Sequence, residues 1–574
     1  MHITANIESQ GCKKAILMME NEITECMEFA EKKSDLSCVK KGNFNKKLYS
    51  LAKEADNEIP AKVIQKQNEN QWFKDGVDTI RKKLKVKEIN KKAKNVILFI
   101  GDGMGPSTVT AARILDGQIK KQTGEENILS WEEFDNVALS KTYNVDFQVP
   151  DSAGTATAFM SGVKTRFGLI NVNENVTYKD CESSIGNEVL SLAQYAELDG
   201  LSTGVVTTTR LTHATPSTVY SSSASRGWEH DNAVEDKRCK DIASQLIDFK
   251  YGNGLEVALG GGRSAFLPNS TIDQKTNKTY KRGDGRNLLE EWTNKTSSNG
   301  KYEYVSNAAQ FRNLKPEAVD HVLGIFNYDH LSYSYYRLNG TDEPSLVEMV
   351  EFAVKVLSKN SKGFFLLVEG GRIDHGHHAN KAFHALHDAV ELNHAVQKAK
   401  DITDPNETLL IVTADHSHVF TLGGYQSRGN PIFNLVNRED FIAQDNKTYS
   451  TLAYLNGPGA EINKERRNVT QDDLSNPDYR YPSLVPLEDE THGGEDVGIY
   501  ARGPQSHLVS GVVEQNYIFH VMDYALCLTK EKKTICEEEG LINPKTTPKP
   551  SSSPSICFSV IGLILLQTML FFFN

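Results

Sequence analysis

The sequence predicts an α/β fold, a large, mostly parallel central sheet flanked by helices, with a small insertion towards the C-terminal end. Four short apolar runs carry this reading: NVILFIGDG at 95–103, GVVTTTRLTH at 204–213, GFFLLVEGG at 363–371 and TLLIVTADHSH at 408–418. Unbroken β-rich runs of this kind read as strands buried on both faces, the state of strands in a parallel sheet covered by crossover helices. Helical patterns separate them. One is HANKAFHALHDAVELNHAVQKAKD from His378, where Phe383, Leu386, Val390, Leu392 and Val396 mark an apolar face. Each run also passes directly into polar, chemically capable residues. Ligands gather beyond the carboxyl ends of such strands, so these residues are predicted to converge on one edge of the sheet.

Along the chain, residues 1–60 form an N-terminal extension whose only apolar run, Ala15 to Met19, is too short for a signal peptide. The main domain occupies 65–540. Within it, about 424–488 is rich in Asn, Gly, Pro and charge, lacks a helical period, and reads as an insertion or small accessory domain. A polar Pro/Ser spacer at 541–555 precedes an uncharged hydrophobic segment at 556–574. Small residues, a spacer and a terminal apolar run make up a glycolipid-anchor signal, which is cleaved and replaced. A tail anchor is the alternative, because this length can just span a bilayer.

The net charge of −11 argues against a nucleic-acid binder, which would carry a concentrated basic face. Eight N-x-S/T sequons, at Asn175, Asn269, Asn277, Asn294, Asn339, Asn406, Asn446 and Asn468, support export. With the anchor signal they point to the extracellular face of the cell membrane. Cys12, Cys26 and Cys38 lie in the extension and Cys557 in the terminal run. Cys181, Cys239, Cys527 and Cys536 remain, an even set suited to two disulfides in an oxidising compartment. Three pairings are open, with nearness favouring Cys527 and Cys536.

The strand ends carry the chemistry. Asp102, in FIGDGMGPS, is either a turn aspartate or a metal ligand flanked by glycines that permit close approach. Ser152, in VPDSAGTATAFMSG, is either a helix N-cap or a nucleophile, and no nearby histidine offers a base. Asp374 and His378, in EGGRIDHGHH, are four apart, so one helical turn would put both on one face for a single metal. Glu369 ends its strand beside Gly370 and Gly371. Asp415 and His416 lie just past another strand end, and His492, in DETHGGED, offers a further nitrogen. Carboxylates and imidazoles in this number suit a phosphate-processing site, where cations offset the repulsion between oxyanions. His384, His387 and His394 read instead as helix surface or packing residues.

In chain order, DGMG, VPDSAGTATA, TTTRLTHATP, VEGGRIDHGHH, VTADHSHVF and THGGEDV resemble alkaline phosphatases, specifically the membrane-anchored animal type. The resemblance runs from about residue 65 to about 540 and includes the anchor signal. It implies two zinc ions and one magnesium ion per subunit. One zinc would be held by Asp374, His378 and His492, the other by Asp102, Asp415 and His416 with Ser152. Magnesium would be held by Asp102, Thr215 and Glu369. His213 would stand near magnesium, His418 would support the zinc ligands, and Arg226, in SASRGW, would grip phosphate as a two-pronged donor. It also implies the bridges Cys181–Cys239 and Cys527–Cys536, a crown domain at 424–488, and a homodimer in which Tyr425 reaches the neighbouring subunit.

A further calcium site of the animal members is altered here. Asn327 follows Phe326 where the pattern has a carboxylate, Glu343 stands for the later aspartate, and the loop after the glycines at 260–262 offers no matching glutamate. The activity implied is metal-dependent hydrolysis of phosphate monoesters through a phosphoserine on Ser152, rising towards alkaline pH. Two alternatives stand beside it: a related phosphodiesterase- or sulfatase-like hydrolase, and a surface-anchored binding protein without catalysis. The second predicts broken ligands, and no zinc or magnesium ligand position is altered.

Overall fold

The computed structural model describes residues 61–295, 300–438, 443–462 and 465–543. The N-terminal extension at 1–60 and the hydrophobic segment at 556–574 lie outside the described residues, as does the spacer beyond 543. Among the described residues, no helix is long and apolar enough to cross a membrane. The chain divides after Lys87 into two compact units. In the first, helices Ala61–Glu69 and Gln71–Lys83 meet at Asn70, whose side chain accepts from the Trp72 N–H and caps the second helix.

The second unit is built on a ten-stranded sheet among the described residues. Its strands are β1 (Asn95–Gly101), β2 (Asn136–Lys141), β3 (Ser202–Arg210), β4 (Val257–Gly261), β5 (Tyr302–Val305), β6 (His321–Ile325), β7 (Phe364–Gly370), β8 (Thr408–Ala414), β14 (Val497–Arg502) and β15 (Gly511–Glu514). Their order is β15-β2-β14-β8-β1-β7-β3-β4-β6-β5. The four strands expected from the apolar runs are thus the adjacent centre, β8-β1-β7-β3, and they pair in parallel. β14 alone runs antiparallel to its neighbours, β2 and β8. Every residue of β7 and β8 is buried, as strands covered on both faces require.

Two apolar layers flank the sheet. One packs helices Leu346–Leu357 and Ala382–Ile402 against Phe99, Val206, Leu366 and Val412. The other packs helices Ser152–Ser161, Leu192–Asp199 and Tyr517–Leu526 against Leu98, Val205, Leu367 and Ile411. Alternate residues of one strand therefore serve opposite layers, so the site at the strand ends rests on two cores at once.

The helix expected from His378 starts four residues later. Helix Arg372–His378 ends, Asn380 turns with φ 55°, and the long helix begins at Ala382. Asn380 is tied elsewhere: its Oδ1 accepts from the Gly459 N–H at 2.7 Å and its Nδ2 donates to the Asn456 carbonyl. Those contacts hold the insertion, which contains β11 (Leu452–Gly457) and β12 (Ser483–Pro486), paired with β10 (Phe420–Leu422) just before it. Leu452, Tyr454 and Tyr481 of the insertion join the main apolar core, so it packs within the larger of the two compact units. The bridges Cys181–Cys239 and Cys527–Cys536 are both formed.

Candidate metal centre

The expected residues meet beyond the carboxyl ends of β1, β7, β3 and β8. Asp102 follows β1, Glu369 ends β7, His213 and Thr215 follow β3, and Asp415 and His416 follow β8. Two short strands, β9 (Ser417–His418) and β13 (His492–Gly493), pair antiparallel and bring His492 to the same place from far along the chain. Gly103 adopts φ 67°, and a Cβ there would lie 2.3 Å from the His418 ring. Only glycine allows the Asp102 turn to come so close.

Two groups of possible ligand atoms converge, each within 4.8 Å: Asp374, His416, His418 and His492, and Asp102, Asp415 and His416. The Asp374 carboxylate is 3.3 Å from His378 Nε2 and 3.4 Å from His492 Nε2, and these two ring nitrogens are 3.2 Å apart. The expected single helical turn, Arg372–His378, carries both Asp374 and His378. His416 Nε2 lies 3.1 Å from Asp415, 3.5 Å from Asp102 and 3.2 Å from Ser152 Oγ.

Each of these imidazoles has its other nitrogen occupied. His378 Nδ1 donates to the Glu490 carbonyl at 2.5 Å, His492 Nδ1 to the Pro150 carbonyl at 2.7 Å, and His416 Nδ1 to the Ser417 carbonyl at 3.2 Å. A backbone acceptor on Nδ1 fixes the tautomer that leaves the Nε2 lone pair facing the centre, the arrangement of metal-bound histidines.

A third group unites Asp102, His213 and Glu369 within 4.8 Å. Glu369 Oε2 accepts from the Thr207 and Thr209 hydroxyls, while its Oε1 has no hydrogen-bond partner. Both oxygens of Asp102 and the hydroxyl of Thr215 are likewise buried without a hydrogen-bond partner. Leaving so many buried oxygens unmatched is costly, and this donor set fits cations. Electrostatics agree. Burial, then Asp415, Asp374 and Glu369, push the Asp102 carboxyl well above the carboxylate range. Burial raises Glu369 to about 7 against the opposing pull of its threonine partners. Burial and His492 hold His416 well below the usual imidazole range, hence neutral and able to ligate.

Ser152 is the first residue of helix Ser152–Ser161, and Asp151 is its cap. Asp151 Oδ1 accepts from the N–H groups of Gly154 and Gly168 and from Asn144 Nδ2, at 3.0–3.1 Å. Asp151 Oδ2 lies 3.0 Å from Arg226 Nη1, while Arg226 Nη2 lies 3.1 Å from His213 Nε2. Ser152 is 2% exposed, so its hydroxyl sits inside the cluster while the Arg226 side chain, 26% exposed, closes its outer side.

Other histidines of this region point elsewhere. His377 is bonded to the Thr108 hydroxyl and to Tyr454, and His375 packs on His330, so only His378 of that histidine run joins the centre. His384 stacks on Tyr333 and His387 on Phe383, while His394 is half exposed near Asp116. The altered calcium group does not fit that ion. Asn327 Nδ2 donates to Glu343 Oε1 at 2.5 Å, and Ser332 donates to both Glu343 oxygens. Phe326 is packed in the core. Glu343 is therefore already supplied with donors, whereas calcium needs six to eight oxygens, several of them charged.

Two participants escaped the sequence reading. Asp151 adjoins Ser152, but its ion pair with distant Arg226 has no sequence signal. Glu490 lies two residues before His492. Its buried carboxylate accepts from His418 Nδ1 at 2.5 Å and from the Val419 N–H at 2.8 Å.

Comparison with known proteins bears on this geometry. The sequence model of the alkaline phosphatase family matches residues 93–528. The tissue-nonspecific alkaline phosphatase isozyme of Gallus gallus is 48% identical over 467 residues, 80% of this chain and 89% of that protein. The Homo sapiens isozyme is 46% identical over 477 residues, 81% of this chain and 90% of that protein. Among solved structures, alkaline phosphatase from Thermus thermophilus superposes with a TM-score of 0.56 at 23% identity, covering 79% of this chain and 96% of that one. The enzyme from the Antarctic bacterium TAB5 does so with a TM-score of 0.55 at 22% identity, covering 77% of this chain and all of the other. At such identities the structures speak for the fold alone.

Proposed function

The chain belongs to the alkaline phosphatase family, and on that premise we propose the residues that perform its reaction. It is a metal-dependent enzyme that hydrolyses phosphate monoesters to an alcohol and phosphate. The finer reading is two zinc ions and one magnesium ion per subunit. Asp374, His378 and His492 hold one zinc, Asp102, Asp415, His416 and Ser152 the other, and Asp102, Thr215 and Glu369 hold magnesium. When bound, the metals neutralise the clustered carboxylates and supply the positive charge that acidifies a hydroxyl and draws in phosphate oxygens.

The observation that carries this reading is Ser152 Oγ, 3.2 Å from His416 Nε2 and next to the Asp151–Arg226 pair. Arg226 donates two N–H groups to the phosphate, a bidentate grip whose direction Asp151 sets. Ser152 Oγ attacks phosphorus in line, forming a phosphoserine as the alcohol departs. The N-terminal amides of helix Ser152–Ser161 favour the added negative charge. Water then attacks the phosphoserine and releases phosphate. Two in-line displacements give net retention at phosphorus. His418 and His213 orient their neighbours and do not touch substrate.

Beyond the reaction, the proposal places the catalytic domain at 65–540 with a crown-like insertion at 424–488. It joins that domain through the polar spacer at 541–555 to a cleaved glycolipid-anchor signal at 556–574, leaving the enzyme on the extracellular face of the cell membrane. It also proposes a homodimer, to which the exposed Tyr425 ring contributes, and no nucleic-acid partner.

The test compares p-nitrophenyl phosphate with its diester on protein loaded with zinc and magnesium, alongside Ser152→Ala. Faster monoester turnover, lost in the variant, is expected. Preference for the diester, or activity that survives the variant, contradicts the assignment.

A further inference from the structure

The Glu490 side chain is fully buried, and Glu490 meets two different histidines by two different routes. Through its backbone it grips His378 twice: the Glu490 N–H donates to the His378 carbonyl at 2.9 Å, and the Glu490 carbonyl accepts from His378 Nδ1 at 2.5 Å. Through its carboxylate it grips His418, Oε2 accepting from Nδ1 at 2.5 Å while Oε1 accepts from the Val419 N–H at 2.8 Å. His418 Nε2 in turn lies 2.7 Å from Asp374. One residue thus fixes both partners of a metal-holding pair, His378 directly and Asp374 through His418.

The alternatives for Glu490 are poorer. It lies 3.9 Å from His378 Nδ1, the ring nitrogen whose hydrogen is already committed to the backbone. Glu490, His378 and His418 each offer a ligand atom within 4.8 Å of one another. Each Glu490 oxygen already accepts a hydrogen bond, however, whereas neither Asp102 oxygen has a partner, so Glu490 is the poorer ligand. It is also enclosed, with its side chain fully buried. A buried carboxylate is retained at such a cost when its charge is matched, and His418 is the group placed to match it.

From this geometry we infer that Glu490 is a positioning residue for the metal centre, one that holds His378 and, by way of His418, Asp374 in ligating orientation. The inference rests on the proposal that Asp374 and His378 hold zinc. It adds that the outer contact, and not the ligands alone, sets how tightly zinc is kept. Outer partners of metal ligands generally govern metal affinity by 10- to 100-fold. Glu490→Gln preserves shape and the backbone contacts to His378. It turns one carboxylate oxygen into an N–H2 group, which must face either the His418 N–H or the Val419 N–H.

The experiment measures zinc retention. Full-length protein is dialysed against zinc buffered by a chelator, bound zinc is read by elemental analysis, and the thermal midpoint of the zinc-free form is recorded. For Glu490→Gln the expected result is zinc affinity lower by about 10-fold or more with the zinc-free midpoint unchanged. Glu490→Asp draws the carboxylate back by about 1.5 Å, so that it cannot serve His418 and Val419 together. A smaller loss of affinity is expected there, and this variant decides the matter if the glutamine variant does not fold. Zinc retention equal to the parent in the folded variants overturns the inference, as does a fall in affinity that only follows a fall in zinc-free stability. A parent protein that binds no zinc instead contradicts the underlying metal assignment.

Discussion

Asp151 and Arg226 form an ion pair at the outer side of the metal centre, with Oδ2 and Nη1 3.0 Å apart and the carboxylate 1% exposed. The same aspartate caps the helix that starts with Ser152. The orientation of the phosphate-gripping guanidinium is therefore linked to that of the nucleophile.

Asp151→Asn separates the two duties. Asparagine keeps an oxygen for the Gly154 and Gly168 N–H groups, so the cap survives, but an N–H2 group then opposes Arg226. Inhibition by inorganic phosphate is expected to weaken by about 10-fold, roughly one charge-assisted hydrogen bond, with the thermal midpoint little changed. Equal inhibition constants for variant and parent would remove Asp151 from the account.

Arg226→Ala takes the grip away altogether. A rise in KM together with a fall in kcat is expected, because phosphate oxygens are held in both the ground and transition states. Arg226→Lys should recover only part of the loss, since an ammonium cannot form the two-pronged contact. Full recovery by lysine would show that charge alone suffices.

Away from the metals, Glu197 and Glu256 share the buried edge where β3 and β4 begin, with Thr203 donating to both through its hydroxyl and its N–H. Burial, reinforced for Glu197 by Glu256, pushes Glu197 up to about 9, and burial raises Glu256 to about 7. The folded state thus keeps protons that the unfolded chain sheds near pH 4.5. The pair's contribution is full below that pH and is lost as pH rises through about 9, so it works against an enzyme active in alkali. Glu197→Gln keeps an oxygen for the Thr203 hydroxyl and removes the repulsion. Its thermal midpoint should exceed the parent's by about 2 °C or more at pH 9 and match it near pH 5. A parallel pH dependence in the two proteins would contradict this.

The disulfides should differ in worth. Cys181–Cys239 closes a separation of 58 residues and Cys527–Cys536 one of 9. Loop entropy assigns about 4 kcal/mol to the first and about 2.6 kcal/mol to the second. Paired Cys→Ser variants in denaturant melts should rank in that order, and the reverse order would place the stabilisation in local packing instead.

Much of this was legible in the sequence because parallel strands buried on both faces are written as unbroken apolar runs. β1, β3, β7 and β8 announced themselves in that way, with their reactive ends attached. β2 and β15 did not: Val137, Leu139 and Val512 are exposed near one edge of the sheet, where the apolar signal thins. The break at Asn380 was hidden because residues 374–381, DHGHHANK, hold almost no apolar residues whose spacing could mark a boundary, and contacts from Gly459 and Asn456 decide the backbone there. Asp374 and His378 were readable as one helical turn. Asp151 with Arg226, and Glu490 with His418, are pairings across 75 and 72 residues, and nothing local encodes them.

The central claim is that Ser152 accepts the phosphoryl group at a centre completed by metal ions. Its most direct test is acid quenching of the zinc- and magnesium-loaded protein during turnover of a phosphate monoester, followed by peptide mass spectrometry. A phosphoryl group on the peptide containing Ser152, missing after chelation and missing in Ser152→Ala, is the predicted result. Turnover with no phosphorylated Ser152 peptide, or labelling that persists when the metals have been removed, would contradict it.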